Sequence, residues 1–292
     1  VRKALIEVMM SLVLSITSDV TFGHVGLGAI RPVMFAFGLE CLGLKTVTLA
    51  HHPGHGRPVG RQVPADEMAI LAGGLEQLGL FPHIRAVITG YFTDPAQVSV
   101  AVDIIARLRA ANPSILVWCD PVMGDFPGGL YVPKPVADAI CAELVPIADV
   151  VLPNAFEAEY LSGRKVTDPD SALLAAEKIN CGEVIITSVP DGTDHLGALW
   201  CHGAHADWAT SLRRPRLLGG TGDCFAGLAL ALRLRGLPQD QVLGNCVASL
   251  GALLDQPHEP GLPVELPLVS ARHLLQPGAV PPAEVERRRR GT

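Results

Sequence analysis

The 292 residues are 49% hydrophobic and 18% charged, with a formal net charge of −6. That is enough apolar material for one large core, and the acidic balance excludes the basic field that draws in nucleic acid. No apolar run reaches the roughly 18 residues a membrane helix needs, and seven scattered cysteines without a CxxC pair point to reduced thiols in a cytoplasmic protein.

In chain order, the run Val1–Ser15 carries Glu7 inside its apolar stretch and lacks a clean small-residue cleavage site, so a first strand, Met10–Ile16, is expected rather than a signal peptide. Further strands are predicted at Thr46–Ala50, Ala86–Thr89, Ile115–Cys119, Val150–Leu152 and Val184–Thr187. They alternate with helical stretches near 28–42, 65–79, 95–111, 134–144 and 169–180. Such alternation predicts right-handed crossovers and a mainly parallel sheet with helices on both faces. Leu196–Cys201 and His205–Trp208, around Gly203, predict an antiparallel edge hairpin, followed by helices over 222–235 and 239–254. No repeat or long linker divides the chain, so residues 1–292 are expected to form one α/β domain. The Arg287–Arg290 run follows a Pro-rich stretch, and residues 275–292 are expected as an extended or frayed solvated tail.

Ser18, Thr46, Tyr91, Asp120, Asn154 and Thr187 each stand at or just beyond a predicted strand, mostly at its C-terminal end. In an open parallel sheet those ends share one side, where ligands bind. Tyr91 could equally pack on a turn. In Leu218–Gly227, glycines 219, 220 and 222 precede a helix whose first N–H groups and dipole favour an anion. Asp223 then stands either beside that anion or as a helix cap. The GxxxxGK[ST] solution to phosphate binding is absent. In Cys119–Asp125, Asp120 at a strand mouth either shapes a magnesium–phosphate site through water or starts an Asx turn. Asn154 and Glu157, three apart at a helix start, either point at one site or form a capping box.

Together the DPVMG, PNxxE and GTGD runs resemble the ribokinase superfamily, and more closely its pyridoxal kinase branch, in family order over nearly the whole chain. The stretch Ser15–Gly26 is similar to that branch's S-x-Q-S-H-V-x-x-G-x-x-G opening, and Asp223 stands where pyrimidine kinases of the group usually carry cysteine. The resemblance implies a ribokinase-like three-layer fold and ATP-dependent phosphorylation of the 5′-hydroxymethyl group of pyridoxal, pyridoxine or pyridoxamine. It makes Asp223 the base that also touches the substrate, with the N–H groups of Gly220, Thr221, Gly222 and Asp223 as anion hole. Asp120 and Glu157 would organise Mg²⁺ largely through water, with Asn154 in support, and Thr187 and Ser188 would meet the nucleotide. Ser18, Thr46, His52 and Tyr91 would hold the ring or its lid. A monovalent cation such as K⁺ and a homodimer also belong to the resemblance.

Several positions depart from that pattern. Thr17, Asp19 and Leu27 replace the expected glutamine, histidine and asparagine, and the flap's N-H-T-x-Y reads His51–His55 without its aromatic residue. The roof segment Ser211–Leu218 is about half a dozen residues short, with Arg213, Arg214 and Arg216 as candidate phosphate contacts that could equally be solvated charge; Arg214 stands at the family's Arg-Pro. His24, His51, His52 and His55 lie in a Pro/Gly context with no carboxylate or cysteine nearby in sequence, which argues against a transition metal. Two other functions stay open: a kinase for hydroxymethylpyrimidine or a related heterocycle, and a non-catalytic descendant that binds pyridoxal or nucleotide.

Overall fold

β1 (Leu12–Phe22) turns Leu12, Leu14 and Ile16 into one apolar core and Val13 into another. This two-sided burial is what a central strand of a parallel sheet requires. The computed structural model describes residues 12–214, 218–257 and 264–289. Met10 and Ser11 of the first predicted strand, together with Arg216 and Arg290, lie outside the described residues.

β2 (Glu40–His51), β3 (Gly60–Gln62), β4 (Ile84–Thr89), β5 (Leu116–Cys119), β8 (Val150–Val151), β9 (Glu183–Asp191), β10 (His195–His202), β11 (His205–Leu212) and β12 (Val285–Arg289) join β1 in one sheet. Its order is β12-β11-β10-β9-β8-β5-β4-β1-β2-β3, and β6 (Gly124–Asp125) with β7 (Gly129–Leu130) forms a separate small hairpin. The pairs from β2 across to β9 are parallel, whereas β3, β10, β11 and β12 pair antiparallel.

α1 (Leu27–Ala36), α7 (Thr221–Leu234) and α8 (Gln239–Leu254) cover one face of the sheet. α2 (Ala65–Gln77), α3 (Pro95–Ala111), α4 (Lys134–Ala139), α5 (Ala155–Ser162) and α6 (Pro169–Ala176) cover the other. The expected three-layer α/β architecture with an antiparallel edge hairpin is therefore present. Among the described residues no helix is long and apolar enough to cross a membrane.

Two expectations need correction. The helix placed near 28–42 stops at Ala36, because Gly38 adopts φ 64° and the Leu39 N–H returns to the Met34 carbonyl, closing the helix end. The tail is extended, but not frayed: β12 pairs with β11 from His205↔Arg289 to Ala209↔Val285. Arg287 donates to the buried Asp207 carboxylate at 3.1 Å, and the Arg288 guanidinium lies 5.8 Å from the Trp208 ring centre. Val285–Arg289 thus cover a sheet edge that would otherwise expose unpaired backbone groups.

Candidate active site

β1 lies between β2 and β4, so the chain leaves β1 in one direction and later returns on its other side. The C-terminal ends of β1 and β4 flank the crevice that such a reversal opens. Two threonines fix the loop after β4 there. Thr17 Oγ1 accepts the Tyr91 N–H at 3.1 Å, and Thr46 Oγ1 donates to the Tyr91 carbonyl at 2.6 Å. Ser18 faces Thr46 and Val47 where the β1–β2 register slips, and it packs on Gly26 so closely that a Cβ at Gly26 would collide with it. Ser18, Thr46 and Tyr91 are thereby brought together, although the Thr46 hydroxyl proton is already committed to the backbone. Thr17, which stands in place of the expected glutamine, is a positioning residue for Tyr91 that the pattern comparison treated only as a departure.

The glycine turn lies across the crevice at the start of α7. Gly220 is the N-cap at φ 80°, and no side chain caps the helix. A Cβ at Gly220 would collide with the His24 carbonyl oxygen, whereas one at Gly222 would meet open space. No side chain among the described residues caps the first N–H groups of α7, which leaves them available to an anion. Asp223 is not the cap of its helix. Its carboxyl is pushed up to about 6 by burial, against the pull of a hydrogen bond from the Gly26 N–H.

Asp120 follows β5, and its backbone N–H is held by the Thr89 carbonyl at 3.1 Å. Its carboxylate forms no hydrogen bond among the described residues, so the Asx-turn alternative is not realised. Burial, then the charges of Glu157 and Asp223, push Asp120 well above the usual carboxylate range. Asn154 and Glu157 form the capping box of α5. Glu157 accepts the N–H groups of Met123 and Asn154, both at 2.9 Å, while Asn154 Oδ1 accepts the Glu157 N–H at 3.0 Å. Burial still pushes Glu157 up to about 8, despite those donors. The Asn154 amide also donates to the Gly124 carbonyl at 2.8 Å, and Asn154 bridges Thr187 on β9. Thr187 and Ser188 sit opposite a single residue, Ala198, in a β-bulge, with Ser188 at φ 57°. Bulges of this kind re-aim side chains and are common beside active sites.

Tyr131 was not singled out from the sequence. It follows the β6–β7 hairpin and lies 6.5 Å from Tyr91, centroid to centroid. Desolvation, and then the carboxylates of Glu157, Asp120, Asp125 and Asp223, push its phenol up, although half its surface is exposed. Its position after the DPVMGD run is the one signal that could have marked it.

Two expected residues are engaged elsewhere. The Arg214 guanidinium grips Asp255 through two bonds of 3.0 and 2.6 Å and also donates to Ser211 and Leu212, so this geometry gives no support to the ATP contact expected of it. His52 is buried against Gly219, and its Nε2 meets Glu265 at 2.6 Å. Glu265 also overturns the premise that no carboxylate stands near the histidines. Asp19, in place of the expected histidine, pairs with Lys45 at 2.7 Å. A cavity of about 690 Å³ near β2 and β3, lined by Thr21, Lys45, Arg61 and Glu67 among others, shares no residue with this cluster.

Comparisons with known proteins identify the family. The family model described as phosphomethylpyrimidine kinase matches residues 75–246. The pyridoxal kinase PdxY of Deinococcus radiodurans is 34% identical over 272 residues, covering 89% of this chain and 91% of that protein. The pyridoxal kinase of Ovis aries is 34% identical over 238 residues, covering 75% and 76%. The solved pyridoxal kinase from Leishmania donovani in complex with ADP and pyridoxine superposes with a TM-score of 0.87 at 29% identity, covering 95% of this chain and 99% of that one. With a curated relative a third identical along almost its whole length, and with the glycine turn, the strand-end carboxylates and the three-layer sheet all in place, this chain belongs to the pyridoxal kinase family of the ribokinase superfamily.

Proposed function

We propose that Asp223 is the general base of this ATP-dependent kinase, which phosphorylates the 5′-hydroxymethyl group of pyridoxal, pyridoxine or pyridoxamine. The activity follows from family membership and from the likeness to a pyridoxal kinase solved with ADP and pyridoxine. The base assignment is carried by one observation: Asp223 stands in the first turn of an uncapped helix, beside the gap at Gly222, with its carboxyl pushed up to about 6. A base poised near the working pH removes a proton most effectively.

In this reading Asp223 takes the hydroxyl proton as the alcohol oxygen attacks the γ-phosphorus and the bond to the β-phosphate oxygen breaks. The N–H groups of Gly220, Thr221, Gly222 and Asp223 hold the charge that grows on the transferred phosphoryl, the largest expected contribution. Thr187 and Ser188, on their bulge beside Asn154, face the nucleotide phosphates. Ser18, Thr46 and Tyr91 hold the ring, with Tyr131 as a second aromatic wall, and His52 borders the turn.

A divalent cation fits the acidic cluster. Burial and the charges of Glu157 and Asp223 push the Asp120 carboxyl up, and no lysine or arginine pairs with any of the three among the described residues. Asp120, whose carboxylate lacks protein partners among the described residues, would hold Mg²⁺ through water, while Glu157, already bonded to backbone N–H groups, would contribute mainly charge. Such an ion supplies neutralisation of the phosphate oxygens. A K⁺-type cation, a homodimer and a cytoplasmic location, the last supported by cysteines that form no disulfide among the described residues, complete the proposal.

Asp223→Asn keeps the side chain's size and removes the base, so kcat should fall about 10²–10⁴-fold with both substrates still bound. Near-parental turnover would remove the assignment. The match to the phosphomethylpyrimidine kinase model favours a second reading, a hydroxymethylpyrimidine substrate, but it spans residues 75–246 and leaves out Ser18 and Thr46. ADP release measured across the three vitamers and hydroxymethylpyrimidine decides between them.

A further inference from the structure

Glu265 lies far from every motif discussed above, yet its carboxylate gathers three groups from the front of the site. Oε2 accepts the His24 backbone N–H at 2.7 Å, and Oε1 accepts from His52 Nε2 at 2.6 Å and from His55 Nε2. Burial alone would push this carboxyl up. The donors on His24, His55 and His52 outweigh that and hold it below its ordinary value, so it stays ionised.

Both branches lead to the glycine turn. The His24 carbonyl packs against Gly220 so closely that no Cβ could be accommodated there. The His52 ring is wedged among three glycines: a Cβ at Gly23, Gly54 or Gly219 would approach it to 2.9, 2.6 or 2.8 Å. Gly219 and Gly220 lead directly into the N–H groups assigned to the anion. Glu265 therefore sets, through two separate loops, the wall on which that turn rests.

The same three side chains could in principle take a metal ion, since their ligand atoms lie within 4.8 Å of one another. The hydrogen bonding argues against it. His52 Nδ1 accepts the Gly54 N–H at 3.1 Å, so the neutral ring carries its proton on Nε2, the atom that meets Glu265. A ligating histidine has the reverse pattern, with its second nitrogen donating outward.

We propose that Glu265 is a positioning residue for phosphoryl transfer, locking His24 and the His52–His55 loop against Gly219 and Gly220 so that the anion-binding N–H groups are held in register. This rests on the assignment of the turn to the transferred phosphoryl. A misplacement of about 1 Å in such a site costs up to about 10²-fold in rate.

In Glu265→Gln one oxygen becomes an NH₂ that must face another donor, either the His24 N–H or a histidine Nε2–H. The full-length variant, assayed with ATP, Mg²⁺ and pyridoxal, should lose about 10–100-fold in kcat while both KM values stay within about 3-fold. A merely structural residue would lower stability and leave kcat per folded molecule unchanged. Backbone hydrogen exchange at residues 52–56 should accelerate at least about 10-fold, with α3 unaffected as an internal control. Exchange needs no turnover, so it reads the lock even if the assignment of Asp223 fails. His55→Gln, which keeps an N–H donor, should stay near the parent in both readouts, whereas His55→Ala should shift towards Glu265→Gln. Parental kcat and parental exchange in Glu265→Gln would overturn the proposal. So would one equivalent of Zn²⁺ retained by the purified parent and lost from the variant, because an ion would then join the loops.

Discussion

Asp120, Asn154 and Glu157 reach the end of the site proposed to hold phosphate from segments that begin just past a strand, whereas His24, His52 and His55 at the other end are joined by Glu265, 210 or more positions along the chain. The first group is assembled by the sheet itself: parallel strands deliver their C-terminal ends to one edge, and short turns hold the carboxylates there. The second depends on a contact between loops that no local rule specifies. This contrast explains why the departures from the family pattern cluster where they do. The segments after β5 and β8 and the glycine turn keep the standard residues, while Thr17, Asp19 and His51–His55 are exchanged along β1 and at and beyond the end of β2.

Removing the unpaired carboxylate at the end proposed to hold phosphate should have the largest effect of the four that follow. The Asp120 carboxylate forms no hydrogen bond among the described residues, so Asp120→Ala leaves little unsatisfied and deletes mainly negative charge. The Mg²⁺ concentration for half-maximal activity should rise about 10–100-fold, as for other groups that orient a metal through an intermediate shell. ATP should weaken more than pyridoxal. An unchanged Mg²⁺ titration would remove Asp120 from the proposed metal site.

At the ring end the expected loss is smaller and confined to one substrate. Tyr91 is fixed by its backbone, through Thr17 and Thr46, so Tyr91→Ala removes the ring without releasing the loop. Pyridoxal binding should weaken by about 1–3 kcal/mol, the range for a lost aromatic contact, with ATP binding little changed. Calorimetric titration of each ligand checks this, and equal losses in both would show that the residue acts on the fold.

How legible the site was follows the same divide. Asp223 could be read from its glycines, and the absence of any side-chain cap on its helix removed the capping alternative. Asn154 and Glu157 were equally legible as a motif, and here the capping box is real, because one hydrogen-bonding pattern serves both the helix and the site. Apolar alternation located the central strands and the later helices closely. It overran the first helix, since Gly38 and the return of Leu39 to Met34 leave no break in hydrophobicity. β12 was missed because its five residues are mostly charged, and Asp207, which accepts Arg287, lies 80 positions away. Glu265 and the Arg214–Asp255 pair were illegible for the same reason.

The acidic cluster also makes a prediction for pH. Glu157 and Asp223 are pushed up to about 8 and about 6, so the folded chain holds protons that the unfolded chain has released above about pH 4.5. Stability contributed by these groups is then present at low pH and is lost as pH rises through that window. Between pH 6 and 8 the ligand-free protein should lose on the order of a few degrees in Tm, and Asp120→Asn, by removing one charge, should flatten the slope. Mg²⁺ with a non-hydrolysable nucleotide should flatten it too. A parent whose Tm is level or rises over this range would mean that the cluster is better solvated than its burial implies.

The smallest effect belongs to the shortened roof. Arg214 is mostly buried while Asp255 is more than half exposed, and their two bonds tie the end of β11 to the end of α8. An ion pair with one solvent-exposed partner contributes at most about 1 kcal/mol, so Arg214→Ala should lower Tm by only a few degrees and leave the KM for ATP within about 2-fold. A phosphate ligand behaves in the opposite way, because losing a guanidinium that pairs with a nucleotide costs affinity and spares the unliganded fold. The two outcomes separate without ambiguity when Asp255→Asn is measured alongside. If Arg214 serves the fold, both variants lose stability together and neither changes ATP binding. A selective rise in the KM for ATP with Arg214→Ala alone would show that the guanidinium leaves Asp255 when nucleotide binds, and that the roof, although shorter than the family's, still closes on the phosphates.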